Sequence, residues 1–293
     1  MKKTLFILFQ HLVPQHLISR LAGRVAECEA PWFKNRFIKW FIKRYRVNMS
    51  EALLEKAEDY TCFNAFFTRS LKPGIRPLDP DALSIISPAD GAISQLGNIE
   101  HGRIFQAKGR SYGLTTLLGG CEDRAAPFTN GSFATVYLSP RDYHRVHMPL
   151  TGTLRESIYV PGDLYSVNQT TAEEVENLFA RNERLVAIFD TEHGPMAMVM
   201  VGAMIVAGIE TVWQGPVAPL PRKPLVLDNF TDRQKPVTLE KGEEMGRFHL
   251  GSTVVLLFGA DAINWDKHLT AGSPLQLGQS IARCTTDNLR SSL

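Results

Sequence analysis

Three short polar clusters carry the side chains with which this chain could do chemistry. The run YLSPRDYHRVHMP at 137–149 sets His144 and His147 three positions apart, with Arg141, Asp142 and Arg145 beside them. Imidazoles titrate near neutral pH, so the pair could serve general acid–base catalysis. An HxxH pair could also offer two metal ligands, but no third and fourth ligand are evident and the neighbouring arginines oppose a cation. Taken singly, either histidine also fits a solvated loop. The second cluster, GRFHLGSTVVLLF at 246–258, sets Gly251-Ser252 at the head of an apolar run. A Ser hydroxyl can attack the carbonyl of the residue before it where the backbone bends suitably, and Gly lacks the Cβ that would obstruct the bend. A base must take the hydroxyl proton and an acid must orient the base. Gly-Ser before a strand also fits a plain turn or bulge. The third cluster, SPADG at 87–91, sets Asp90 on a tight turn, where the acid could simply bond its own backbone. The order Asp90, His144 or His147, Ser252 suits a triad without proving its geometry.

Each cluster abuts a run of β character. Such runs fall at Gly91–Leu96, Arg103–Ala107, Ser132–Leu138, Thr153–Val160, Leu185–Asp190, Ala197–Ala203, Ala207–Val212 and Thr253–Phe258. Few helical stretches separate them, so an antiparallel, sheet-rich core fits better than a doubly wound one. Before the turn-rich KPGIRPLDP at 72–80 the pattern is helical. Ser50–Glu58 has an N-cap and strong helix formers, and Cys62–Thr68 adds a shorter helix. The chain is therefore expected to be α+β: N-terminal amphipathic helices in a membrane-associating segment, 1–70, then a mainly antiparallel β-rich catalytic core, 71–293. It has no GxGxxG, GxxxxGK or HExxH signature, which removes dinucleotide, P-loop and zincin readings.

Charge is divided unevenly between these parts. The formal total of +2 combines +8 in residues 1–46 with −6 in the remaining 247 residues. This rules out a uniformly basic nucleic-acid binder and favours an anionic partner at one end, either a membrane surface or RNA. In PWFKNRFIKWFIKRYR at 31–46, Arg36, Lys39, Lys43 and Arg46 form one stripe at 100° per residue. Phe33, Phe37, Ile38, Trp40, Phe41, Ile42 and Tyr45 supply the aromatic-aliphatic remainder, interrupted by Lys34 and Arg44. That is the pattern of an interfacial helix on anionic lipid, although a helix packed on the domain with a solvated cationic face shares it. Residues 4–21 are apolar-rich, but their wheel is not clean and Pro14 interrupts it. Met1–Phe9 resembles the start of a signal peptide, yet no cleavage site follows cleanly, so it is read as retained. No stretch is long enough to span a bilayer. Cys28, Cys62, Cys121 and Cys284 show no CxxC or zinc spacing, which favours a reducing compartment.

Taken together, SPADG, YLSPRDYHRVHMP, PGDLYSVN, FARNER and FHLGST, in this order, resemble the bacterial-type phosphatidylserine decarboxylases across nearly the whole chain. The resemblance implies a proenzyme that cuts itself between Gly251 and Ser252 into a β chain, 1–251, and an α chain, 252–293, with Ser252 becoming a pyruvoyl group. It implies Asp90 as orienting acid, His147 as general base and Ser252 as nucleophile of the cut, and His144 as the residue assisting decarboxylation. Tyr137 and Ser166 match blocks near the substrate site. The pyruvoyl group would condense with the serine amine and act as electron sink, so neither a metal nor pyridoxal phosphate is needed. The implied partners are phosphatidylserine, an anionic membrane surface and the two self-derived chains as a heterodimer, itself paired as a homodimer; no nucleic acid is implied. The expected location is the cell membrane, peripheral, on its cytoplasmic side. An alternative is a pyruvoyl decarboxylase of another amino-containing substrate; from different classes, an HxxH metal-dependent hydrolase or a non-enzymatic membrane-binding protein.

Overall fold

The structure, a computed structural model, describes residues 10, 13–204, 208–218, 226–230, 236–249 and 252–285, and of Val226–Asn229 and Ser252 only the backbone. Met1–Phe9 and Gly251, both singled out above, lie outside the described residues. Eight strands carry the argument: β1 Gly91–Asn98, β2 Ser132–Leu138, β3 Arg145–His147, β4 Gly152–Val160, β5 Arg184–Thr191, β6 Gly194–Val201, β7 Glu244–His249 and β8 Ser252–Phe258. The main sheet, nine-stranded among the described residues, runs β4-β5-β6-β8-β2-β1 through its centre, every neighbour antiparallel. A four-stranded sheet pairs Gly215–Ala218, Gly208–Thr211, β7 and β3. An α+β chain with an antiparallel core is what the runs of β character predict.

Strand β8 shows why those runs read as continuously apolar. Its alternate residues Val254, Leu256 and Phe258 enter one core beneath the four-stranded sheet, with Phe248 and Met245. Val255 and Leu257 enter a second core, under the helical turns that carry Leu114, Phe128 and Phe179. Side chains of a strand alternate between faces, so a strand covered on both sides shows no polar alternation. Registers are strict along this sheet. Val160, Arg184, Val201, Thr253, Tyr137 and Ala92 form one lateral row across β4, β5, β6, β8, β2 and β1. Every motif of the sequence lies at or just beyond that row.

The N-terminal part contains α1 Gln15–Ala26, α2 Pro31–Tyr45 and α3 Phe63–Phe67. Pro31 sits in the first turn of α2, where its missing N–H is not needed, and Arg46 ends the helix in the left-handed region at φ 56°. These helices share a core of Ile38, Phe41, Tyr60, Phe63, Phe66 and Phe67. Each such buried side chain contributes about 1.5–3 kcal/mol. The helix expected at Ser50–Glu58 is instead two 3₁₀ turns, Met49–Glu51 and Ala57–Asp59. Ala52 bridges to Leu71 and Leu53 donates its N–H to the Ser70 carbonyl, so tertiary pairing draws the backbone out where propensity favours helix.

Candidate active site

The lateral row fixes where the candidate residues stand. Ser252 pairs with Leu138, and the next residues along that line reach Gly91 at the head of β1. Neighbouring strands lie about 4.8 Å apart, so Ser252 and the SPADG turn are separated by about 10 Å of backbone. Gly91 is required there: a Cβ would fall 2.4 Å from the Tyr137 carbonyl oxygen. The loop 139–144 leaves β2 beside Ser252 and enters β3, while 250–251 joins β7 to β8. Both links thus bridge the same two sheets, because β3 pairs with β7 and β2 with β8. Phe248 donates its backbone N–H to the His144 carbonyl at 3.0 Å. The HxxH loop is therefore tied to the end of β7 three residues before Gly251.

His144 is fully buried, its ring 4.0 Å from that of Phe67 between centroids. Its Nδ1 lies 2.9 Å from the Asp142 carbonyl, so that nitrogen carries the hydrogen and Nε2 presents a lone pair with no protein partner. Burial, reinforced by the nearby Arg69 guanidinium and opposed by the Asp142 carbonyl, lowers its pKa to about 3. His147 is held by the Gly242 carbonyl at Nδ1 (2.9 Å) and receives the Tyr143 hydroxyl at Nε2 (3.1 Å). Its backbone N–H bonds the Pro88 carbonyl in the SPADG turn, 2.8 Å away. Burial lowers its pKa, with Gly242, Glu244 and Asp90 pulling the other way. Both imidazoles are therefore free bases at neutral pH.

Asp90 does not orient His147 by a direct hydrogen bond, as the triad expectation requires. Its oxygens accept from Arg76 Nε and Nη2 at 3.0 and 2.7 Å and from the Leu277 N–H at 2.9 Å. Three donors satisfy the carboxylate, and the Gly242 carbonyl fixes the His147 tautomer instead. Asp90 remains within electrostatic reach of the imidazole. Arg76 also holds Glu51 at 2.6 Å, and its own pKa is raised chiefly by the bond to Asp90. Tyr137, half-buried between Thr253 and Ala92 in the row, has its phenol pushed up by burial.

Ser166 stands on the PGDLYSVN loop, at the same end of the sheet but reached from β4. Gly162 of that loop is pressed so close to the 181–183 backbone that a Cβ would lie 2.2 Å from the Arg181 carbonyl oxygen. Helix α1 and the residues before it hold the loop. Gln10 Oε1 accepts from Ser166 N at 2.8 Å, Gln15 Oε1 from Leu164 N at 2.7 Å, and His16 Nε2 donates to the Gly162 carbonyl at 3.0 Å. Sequence reasoning missed these three residues and also Arg69 and Arg76.

The expected lipid-facing residues divide into two groups. Arg36, Lys39, Trp40, Lys43 and Arg46 are exposed, and Lys39 pairs with Glu58. Phe41 is buried against Phe63, Phe66 and Phe67, and Phe37 stacks on Phe63 with Phe33 behind it. Most of the aromatic face of α2 thus packs on the protein's own α3, leaving Trp32 (72% exposed) and Trp40 (54%) outward. An unforeseen stripe joins them: Leu17, Leu21 and Val25 of α1 are about half exposed, beside exposed Arg20 and Arg24. The signal was their i, i+4, i+8 spacing, hidden by a window that straddled Pro14. No helix among the described residues is long and apolar enough to cross a membrane, and none of their His, Cys, Asp and Glu side chains gather as a metal site.

Known proteins carry the same pattern. A family model described as phosphatidylserine decarboxylase matches residues 63–283, and one described as PSD matches residues 5–46. Proteins named phosphatidylserine decarboxylase proenzyme from Pseudomonas fluorescens, Pseudomonas entomophila and Pseudomonas putida are each 62% identical to this chain. The alignments cover 284, 283 and 283 residues, or 97, 96 and 96% of this chain and 99, 98 and 98% of those proteins. With a family model matched over most of its length and near full-length relatives at this identity, the chain belongs to the phosphatidylserine decarboxylase family.

Proposed function

We propose that this chain is a self-cleaving proenzyme that decarboxylates phosphatidylserine to phosphatidylethanolamine and CO2 at the cytoplasmic face of the cell membrane. The observation that carries the reading is the bond from Phe248 N–H to the His144 carbonyl, three residues before Gly251, together with the pairing of Ser252 with Leu138 at the row end where Asp90 also lies. In the first reaction the Ser252 hydroxyl oxygen bonds the Gly251 carbonyl carbon while its proton passes to His147 Nε2. The Gly251–Ser252 C–N bond then breaks, the imidazolium returns the proton to the departing nitrogen, and an ester joins the two parts. Loss of the Ser252 α-proton expels the Gly251 carboxylate and leaves dehydroalanine, whose imine tautomer water hydrolyses to the pyruvoyl group with release of ammonia. Tyr143 must release His147 Nε2 first. The Gly242 carbonyl keeps the receiving lone pair on Nε2, and Arg76 fixes Asp90 as a charge that favours the imidazolium once it forms.

The residues around Ser252 fit a pyruvoyl group derived from it. Buried polar atoms without protein partners, His144 Nε2 and Thr253 Oγ1, lie on the loop beside it and next to it in β8. Such a group supplies an electron sink for the pair released when a carboxylate leaves. His144 Nε2, uncharged and without a protein partner, relays a proton to carbon after CO2 departs. Tyr137 and Ser166 are substrate-contact residues in this reading.

Segment 1–70 is the docking part and 71–293 the catalytic part in this reading. Leu17, Leu21, Val25, Trp32 and Trp40 enter the lipid interface, with Arg20, Arg24, Arg36, Lys39, Lys43 and Arg46 over anionic headgroups. The cut chains remain a heterodimer, which pairs as a homodimer.

Denaturing mass spectrometry tests the proposal. A 42-residue fragment, 252–293, blocked by pyruvate should accompany release of CO2 from carboxyl-labelled phosphatidylserine in vesicles. Both should vanish in Ser252→Ala. An intact 293-residue chain in active preparations would sink the reading.

A further inference from the structure

Arg69 follows α3 and is 4% exposed. Its Nη2 donates to the carbonyls of Arg141 at 3.0 Å and Asp142 at 3.2 Å, whereas Nε and Nη1 have no protein partner. A buried guanidinium with idle donors is costly unless an acceptor arrives. The acids within its electrostatic reach do not provide one. Asp90 is taken by Arg76 and Leu277, Glu51 by Arg76, and Asp142 Oδ2 by the N–H and hydroxyl of Ser139. His144 shares the Asp142 carbonyl with Arg69 and likewise leaves Nε2 unpartnered. A guanidinium with two idle donors and an imidazole with an idle nitrogen thus meet at one carbonyl.

We propose that Arg69 binds the phosphodiester of the substrate headgroup, one of its idle donors, Nε or Nη1, donating to a non-bridging oxygen. The assignment rests on the decarboxylase reading above. Two considerations select phosphodiester over carboxylate. A guanidinium on the carboxylate would stabilise the charge that must leave as neutral CO2, raising the barrier. The phosphodiester keeps its charge from substrate to product, so a fixed cation holds it without opposing the reaction. Arg69 and His144 are both buried in the uncut chain, and the proposed cut lies three residues beyond Phe248, whose N–H bonds the His144 carbonyl.

The test uses processed, full-length enzyme with dihexanoyl phosphatidylserine, which needs no membrane, and with its neutral phosphate methyl triester. On wild type, the triester should show a KM about 10- to 100-fold above the diester with little change in kcat. Arg69→Gln should raise the diester KM by the same factor and abolish the preference, while Arg69→Lys, which keeps the charge but not the guanidinium donors, should lie between. Equal KM for diester and triester on wild type overturns the proposal without any variant. If Arg69→Gln yields no 42-residue fragment, Arg69→Lys and the triester comparison decide. Competition by inorganic phosphate without diester preference would assign the site to free phosphate and likewise overturn it. Failure of the decarboxylase reading would look different: wild type would release no CO2 from either substrate.

Discussion

Phe248 and His144 are joined backbone to backbone, N–H to carbonyl at 3.0 Å, three residues upstream of the Gly251–Ser252 bond. The pairing ties the proposed cut to the histidine loop, and it separates the two imidazoles. His144 lies opposite Phe248, while His147 pairs with Glu244 and is turned towards Tyr143 and Gly242.

Self-cleavage should depend on His147 with an acid limb displaced downwards. The imidazole must be neutral to accept the Ser252 proton, and burial lowers its pKa below the ordinary 6.5. The neutral form therefore persists at pH values where an ordinary histidine is charged. Cleavage of freshly synthesised chain, followed by gel between pH 5 and 8, should be flat through neutrality and fall only below about 6.5. Removing the hydroxyl that donates to Nε2, in Tyr143→Phe, should move that limb up. His147→Ala should leave the chain intact.

His144→Ala should cut normally yet decarboxylate about 100- to 10,000-fold more slowly, measured as labelled CO2 from fully processed enzyme. Loss of cutting in this variant would merge two roles that the loop geometry keeps apart.

Arg76→Ala should destabilise the fold by about 3 kcal/mol, because it strands a mostly buried carboxylate. Urea unfolding in a Ser252→Ala background, where the chain stays in one piece, reads this directly. A loss below about 1 kcal/mol would mean that solvent screens the Arg76–Asp90 pair.

The two cut chains should resist separation. Strand β8 belongs to the smaller product yet pairs along its length with both β6 and β2. Size-exclusion chromatography should keep 1–251 and 252–293 together in buffer and part them only in denaturant.

Binding to phosphatidylglycerol vesicles should need both helices. Arg36, Lys39, Lys43 and Arg46→Gln should weaken flotation and flatten its salt dependence, each cation near the leaflet contributing about 1 kcal/mol. Leu17→Ser with Leu21→Ser should weaken it at every salt concentration. Unchanged flotation in the leucine variant would assign docking to α2 alone.

Much of the sheet was legible because its strands are apolar on both faces and bounded by turn residues. Ser132–Leu138 and Arg103–Ala107 are observed with the expected ends, and β8 begins one residue earlier than expected. Strand β3 was not legible. It is three residues long, and its partner β7 lies about a hundred positions away, so nothing local announces it. The same limit hid half the site. His144, His147, Asp90 and Ser252 stand in motifs, but Arg69 and Arg76 sit in FFTRSLKPGIRP, where a lone arginine carries no spacing signal. Their meaning arises only when the chain returns past them at 141–142 and 90. The aromatic face of α2 was seen correctly, but sequence could not say that α3 would cover it.

The grip of Gln10, Gln15 and His16 on the PGDLYSVN loop gives the first helix a second task. Trimming the N-terminus to make a soluble catalyst would remove three supports from the loop bearing Ser166, along with the anchor. If the proposed mooring is removed, scaffolding goes with it, so a shortened form would be handicapped even towards a substrate dissolved in water.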